Sequence, residues 1–300
     1  MQGLVMALAA YLLWGCFPLF FNLLSHVSST EVLANRIIWS LVSTLFVILL
    51  LRKRETLMAL MRNPELMKWL ALTSVLISAN WLIFIWSVAQ HRVMEASLGY
   101  YMTPLVSLLL ARILLKESLH PLQAVAGGLA ALAVAWEVYS LGSLPWISLA
   151  LAMTFGFYGL VRKRYPVDGL SGLTIETMLI FPIALSWLLW QYWSTSHQLM
   201  FGGDLSTTLL LMASGVVTAV PLLLFASAAK RLDLSVVGFI MYINPTMQFI
   251  IAVFIFQEDF PPQRLVTFII IWTALILFMW GMWQSRQQAD SDDKVAHTRS

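Results

Sequence analysis

The sequence predicts an all-α integral membrane protein of ten transmembrane helices, arranged as two inverted five-helix repeats. Three observations carry this prediction. First, 60% of the 300 residues are hydrophobic and only 11% are charged, where a soluble domain is about 25% charged. A core of this length cannot hide so much apolar surface behind a polar exterior, so lipid must be the main solvent. Second, the apolar residues fall in long runs of the roughly 20 residues that a spanning helix needs. They do not alternate as barrel strands would. Third, residues 94–121 recur 141 positions later. Tyr101 matches Tyr242, Pro104 matches Pro245, Ala111 matches Ala252, Glu117 matches Glu258 and Pro121 matches Pro262.

Taken in order, the expected spans are 3–24, 32–51, 68–90, 94–116, 120–140, 144–162, 172–193, 206–229, 234–257 and 262–283. The first run has no basic residues before it and is too long for a signal-peptide core, so it reads as a retained span. Cys16, the only cysteine, allows neither an internal disulfide nor a thiolate metal site. Thirteen Trp and eight Tyr suit membrane–water interfaces. Residues 284–300 form a polar tail, expected to be disordered.

Lys and Arg set the orientation. With a cytoplasmic N-terminus, fourteen of them fall in inside segments, Arg92 and Arg264 fall outside, and Arg36 and Arg112 lie within spans. Both termini are therefore expected inside. The net charge of +3 follows this topology and gives no reason to expect nucleic acid.

The register holds beyond the opening stretch. Leu8 matches Leu149, Gly15 matches Gly156, Val75 matches Val216 and Phe84 matches Phe225. Residues 3–140 thus read as one repeat and 144–283 as a second. Five is odd, so the second enters the membrane from the opposite side. Inverted repeats are the architecture of many alternating-access transporters, with the substrate near the midplane between halves.

Pro104 and Pro245 fall near the middle of spans four and nine. Each is expected to kink its helix and leave a carbonyl, that of Tyr100 or Met241, short of a partner. Paired breaks at midplane point to a binding site. On span four, Ser97, Tyr101, Pro104 and Ala111 share a face; Gly238, Tyr242, Pro245 and Ala252 match them on span nine. Asn244, Gln248 and Asn80 add amides that should turn away from lipid. Trp81 joins Asn80 on span three, Tyr11, Trp14 and Asn22 mark a polar face of span one, and Tyr158 lies on span six. Packing by small and aromatic residues explains any one of these as well as substrate contact does.

Few ionisable groups approach the spans. Arg36, Glu95, Glu137 and Glu176 are candidates by position, although all lie near helix ends and could snorkel outward. Glu117 and Glu258 close spans four and nine, where capping or gating is the expected role. All five His and all seven Asp lie in loops or the tail. No zinc-protease, phosphate-loop or serine-hydrolase motif occurs. No cofactor or metal is expected, and the coupling ion, proton or other, is not legible.

The segments LAAYLLWGCFPLFF (8–21), EVLANRIIWS (31–40), NWLIFIWSVAQHRVMEASLGYYMTPLV (80–106) and FGFYGLVRK (155–163) resemble the RarD family of the drug/metabolite transporter superfamily, EamA type. The resemblance implies a permease of the bacterial inner membrane that moves small amphipathic metabolites or drugs, chloramphenicol-like compounds among them. It also implies a central cavity, carried here onto Trp14, Asn80, Trp81, Tyr101, Pro104, Tyr158, Tyr242, Asn244 and Pro245. Pro221 stands where symmetry with Asn80 would put an amide, so the cavity is not evenly two-fold. An integral-membrane enzyme or lipid-handling protein, and a non-transporting scaffold or receptor, are the alternatives. The expected partners are a small-molecule substrate and the bilayer.

Overall fold

The structure is a computed structural model that describes residues 2–114, 116, 120–194, 199–229, 231–232, 236 and 240–298. Among these residues the secondary structure is entirely helical. Helix α1 (Gln2–Gly15) and helix α2 (Phe17–Asn22) form one apolar run interrupted at Cys16. The interruption follows from Pro18, which has no amide hydrogen to give the carbonyl of Trp14. Helix α3 (Ser29–Leu50) starts where Ser28 Oγ accepts the Glu31 N–H at 3.3 Å. A short helix α4 (Arg54–Met61), not anticipated from the sequence, precedes α5 (Pro64–Ala89). Asn63 caps α5 by accepting the Leu66 N–H at 3.1 Å, and Pro64 occupies the first turn, where its missing donor is harmless.

Helix α6 (Val93–Leu114) carries Pro104 inside it. Helix α7 (Pro121–Leu141) opens on His120, whose cap is reciprocated by the Gln123 side chain, and closes on Gly142 at φ 66°. There the chain enters the left-handed region, which glycine adopts freely. Helix α8 (Trp146–Arg164) ends on Arg162, Lys163 and Arg164. Helices α9 (Gly169–Trp193) and α10 (Leu205–Ala229) carry Pro182 and Pro221. Helix α11 (Ile243–Ile250) passes into a π-helix at Ile251–Ile255, and α12 is Pro262–Thr298.

Eight helical stretches are long and apolar enough to cross a membrane. They are α1 with α2, α3, α5, α6, α7, α9, α10 and the apolar part of α12. Of the ten expected spans, the sixth is the helix α8, outside this set with its three terminal cations. The ninth is described as the shorter apolar helix Ile243–Ile255. The expectation of a disordered tail is overturned: α12 runs on through residues 284–298. That stretch contains neither Pro nor Gly to stop it.

The chain forms two compact units. In the first, Met1–Ser97 with Val161–Glu258, α3 packs on α5, α9 and α10, and α1 packs on α10 and α11. Small residues bring backbones together. A Cβ at Gly215 would run into the Trp39 carbonyl group on α3, and one at Gly15 would lie 2.6 Å from Met247 Cβ on α11. In the second, Leu98–Leu160 with Asp259–Ser300, α7 lies along α12. There Gly99 of α6 meets Ser148 of α8, where a Cβ would stand 2.7 Å from the Ser148 oxygen.

Candidate functional site

Within the first unit the polar and aromatic candidates form two groups. The first surrounds Arg36, on the second turn of α3. This residue is 3% exposed. Its guanidinium carbon stands 4.1 Å from the ring centre of Trp81, 5.0 Å from that of Phe21 and 5.4 Å from that of Phe17. Its Nε donates to Thr218 Oγ1 on α10 at 3.0 Å. A cation in this position is held by three ring faces and a hydroxyl. Snorkelling, the alternative the sequence left open, does not occur.

The second group lies where α1, α10 and α11 meet. Trp14 stands edge-on to Tyr11 with ring centres 5.3 Å apart, and Phe225 lies 5.8 Å from each. On α11 the Gln248 Nε2 donates to Asn244 Oδ1 at 2.8 Å. Gln248 is 2% exposed, and its Oε1 has no hydrogen-bond partner among the described residues. An unmatched amide oxygen inside an apolar helix bundle costs about 1–3 kcal/mol.

Tyr242 and Pro245 behave differently from expectation. The chain turns at Met241 and Tyr242, and α11 starts at Ile243, so Pro245 sits in the first turn rather than mid-helix. The Met241 carbonyl is not left short, because it accepts the Asn244 N–H at 3.3 Å. Pro104, by contrast, lies within a continuous α6.

Tyr101, Pro104 and Tyr158 belong to the second unit. Tyr101 is buried with its ring edge-on to Phe268 and Trp272 of α12, at 6.2 and 6.3 Å. Tyr158 stacks near Phe155, which in turn meets Tyr100.

Of the remaining ionisable candidates, Glu95, Glu137 and Glu176 are buried and Glu258 is half-buried, and all four are engaged. Glu95 takes a two-point contact from Arg92, at 2.9 and 2.8 Å. Glu137 of α7 meets Arg264 at 3.0 Å and the Thr267 hydroxyl of α12. Glu176 lies 3.8 Å from Arg162, whose guanidinium covers Gly172. Glu258 accepts the N–H groups of Val93 and Met94 at 2.6 and 2.8 Å. Glu117 and Gly238 fall outside the described residues. No group of three or more His, Cys, Asp or Glu side chains suited to a metal occurs among the described residues.

Sequence reasoning missed Phe17, Phe21 and Thr218 around Arg36. The signal was present: an arginine in an apolar helix needs partners, and the aromatic run of α2 offers ring faces. Thr218 lies 182 positions away, a pairing that no local pattern could announce.

The fold and this distribution of buried polar groups define a multi-pass membrane protein, and comparison with known proteins gives its class. The EamA-like transporter family model matches residues 1–138. Protein RarD of Escherichia coli is 43% identical over 279 residues, covering 93% of this chain and 94% of its own. An uncharacterized transporter of Pseudomonas aeruginosa is 41% identical over 293 residues, covering 95% of each. A chloramphenicol-sensitive protein RarD of the same organism is 32% identical, covering 93% and 94%. Among the solved structures that match, one crystal structure has a TM-score of 0.57 at 18% identity, over 92% of this chain and 96% of its own, which shows a shared fold. The chain belongs to the RarD family of EamA-type drug/metabolite transporters.

Proposed function

We propose that this protein is a secondary transporter that exports small amphipathic metabolites or drugs by alternating access. The observation that carries the reading is the Gln248 oxygen, buried and without a partner among the described residues. An orphan acceptor at membrane depth is costly unless a solute donor or water meets it. The rings of Tyr11, Trp14 and Phe225 offer an apolar platform within the same unit. The relative named for chloramphenicol sensitivity supports amphipathic drugs as one substrate class.

The ten-span inverted repeat belongs to this reading. Lys116 and Gln257, 141 positions apart, both adopt left-handed backbone at φ 56° and 53°. Each is followed by a glutamate. Two non-glycine residues in this uncommon region at matching positions support the duplication. On this reading residues 3–140 and 144–283 are the halves, both termini are cytoplasmic, and the protein resides in the bacterial inner membrane.

Gln248→Leu tests the proposal in purified, full-length protein in liposomes. The substitution removes the orphan oxygen at similar volume but also strips Asn244 Oδ1 of its donor, so stability is expected to change by about 1 kcal/mol or less while transport of a metabolite panel falls. Unchanged transport would remove Gln248 from the pathway. Wild-type protein that moves no solute would overturn the transport reading.

A further inference from the structure

The short helix α4 joins two apolar spans, α3 and α5, and its two sides differ. One side is fixed in the protein. Leu57 is buried among Ile48 of α3, Leu70 of α5, and Leu170 and Ile175 of α9, with Leu60 packed against the same cluster. The helical period sets the other side. Arg54, Met58, Met61 and Arg62 stand at i, i+4, i+7 and i+8, so they share one face, and all four are exposed. Arg62 caps α4 and keeps helical backbone, so the period carries through it.

Two further observations say what this face meets. The first is depth. Trp69, on the second turn of α5, stacks on Tyr165 with ring centres 4.9 Å apart and donates its ring N–H to Glu65 at 2.9 Å. Aromatic rings with one polar end belong at the level of lipid headgroups. The second is charge. Arg52, Arg54 and Arg62 are exposed, with no side-chain partner among the described residues. The nearby carboxylates are engaged elsewhere: Asp168 meets Lys53 at 3.5 Å, and Glu65 meets Lys68 at 3.8 Å. Among the described residues of this segment, Glu55 is the carboxylate left over against three guanidinium groups.

We infer that the exposed face of α4 is a seat for anionic phospholipid. Arg52, Arg54 and Arg62 pair with headgroup phosphates, and Met58 and Met61, 40% and 38% exposed, rest against the acyl chains. The guanidinium fork matches two oxygens of one phosphate. Methionines on the same face as the arginines select a lipid over a free anion, since inorganic phosphate has no apolar part to cover them. A zwitterionic headgroup cancels its own phosphate charge, whereas an anionic one keeps it. Each basic side chain near an anionic surface is worth about fivefold in affinity. Through Leu57 the bound lipid steadies the adjoining ends of α3, α5 and α9. The inference needs neither the transport reading nor the proposed orientation.

Amide hydrogen exchange of the full-length protein tests this in two kinds of nanodisc, pure phosphatidylcholine and an equal mixture of phosphatidylcholine with phosphatidylglycerol. Protection across α4 is expected to rise about fivefold or more in the mixture. Arg54→Gln combined with Arg62→Gln should remove most of that rise and leave thermal stability unchanged, because both side chains are exposed. Arg54→Lys combined with Arg62→Lys should keep a smaller rise, since the charge stays and the fork is lost. Equal protection in the two lipids overturns the seat, as does a rise that survives the paired glutamines. A rise of the same size on adding inorganic phosphate to pure phosphatidylcholine discs would assign the face to free anions and also overturn it.

Discussion

Arg36 shows what a single residue contributes. Its planar guanidinium lies 4.1 Å from the Trp81 ring centre and donates through Nε, an atom that lysine lacks. Arg36→Lys should therefore behave as a loss rather than a conservative change. Arg36→Ala should destabilise the protein by about 3 kcal/mol, since it empties a buried site and strips Thr218 of its donor. Thermal unfolding in detergent measures both, and a wild-type melting point for Arg36→Lys would show the ring stacking to be idle. Tyr101 gives the complementary lesson. Its spacing with Pro104 suggested a ring offered to a solute, whereas it packs on Phe268 and Trp272. Tyr101→Ala should cost about 3 kcal/mol of stability through the cavity it leaves. A variant of native stability with reduced transport would support the cavity-lining role.

At the scale of elements, helix ends and helix crossings decide most of what is seen. Asp168 caps α9 through the Ser171 N–H and sits 3.5 Å from Lys53. Burial pushes its pKa up, but the Ser171 hydrogen bonds and Lys53 together hold it below the ordinary aspartate value. Its contribution is thus present above the unfolded pKa and lost as pH falls through the folded one. Asp168→Asn should cost about 1 kcal/mol or less, because asparagine still caps and the partly exposed ion pair is worth little. Comparing unfolding of the two proteins at neutral and acid pH checks the sign. Gly215 is less tolerant. A methyl group there meets the Trp39 backbone, so Gly215→Ala should separate α3 from α10 and cost about 2–3 kcal/mol or abolish folding. Expression and thermal stability report the outcome, and a stable Gly215→Ala protein would mean that α10 can shift along α3. The long spans were legible because apolar run length is a local property of the chain, whereas their capped starts at Asn63–Pro64 and His120–Pro121 were not read from the sequence. The break at Cys16 was legible only in hindsight from Pro18, and α4 was not anticipated.

Over the whole molecule, the sequence by itself determined the solvent, the class and the family. Hydrophobic content and run length depend on composition alone, and the segments around Trp14, Asn80 and Glu95 carry the RarD resemblance without reference to coordinates. Glutamine and asparagine in an apolar run also announced buried polar groups, since hydrocarbon offers them no partner. Only the tertiary structure decided which partners those groups found. Arg36 meets Thr218 across 182 residues, Glu137 meets Arg264 across 127, and Glu258 meets Val93 across 165. Chain entropy places no local mark on such contacts, because they form only when separate helices pack. The same packing left the Gln248 oxygen unmatched among the described residues, which spacing along one helix does not announce.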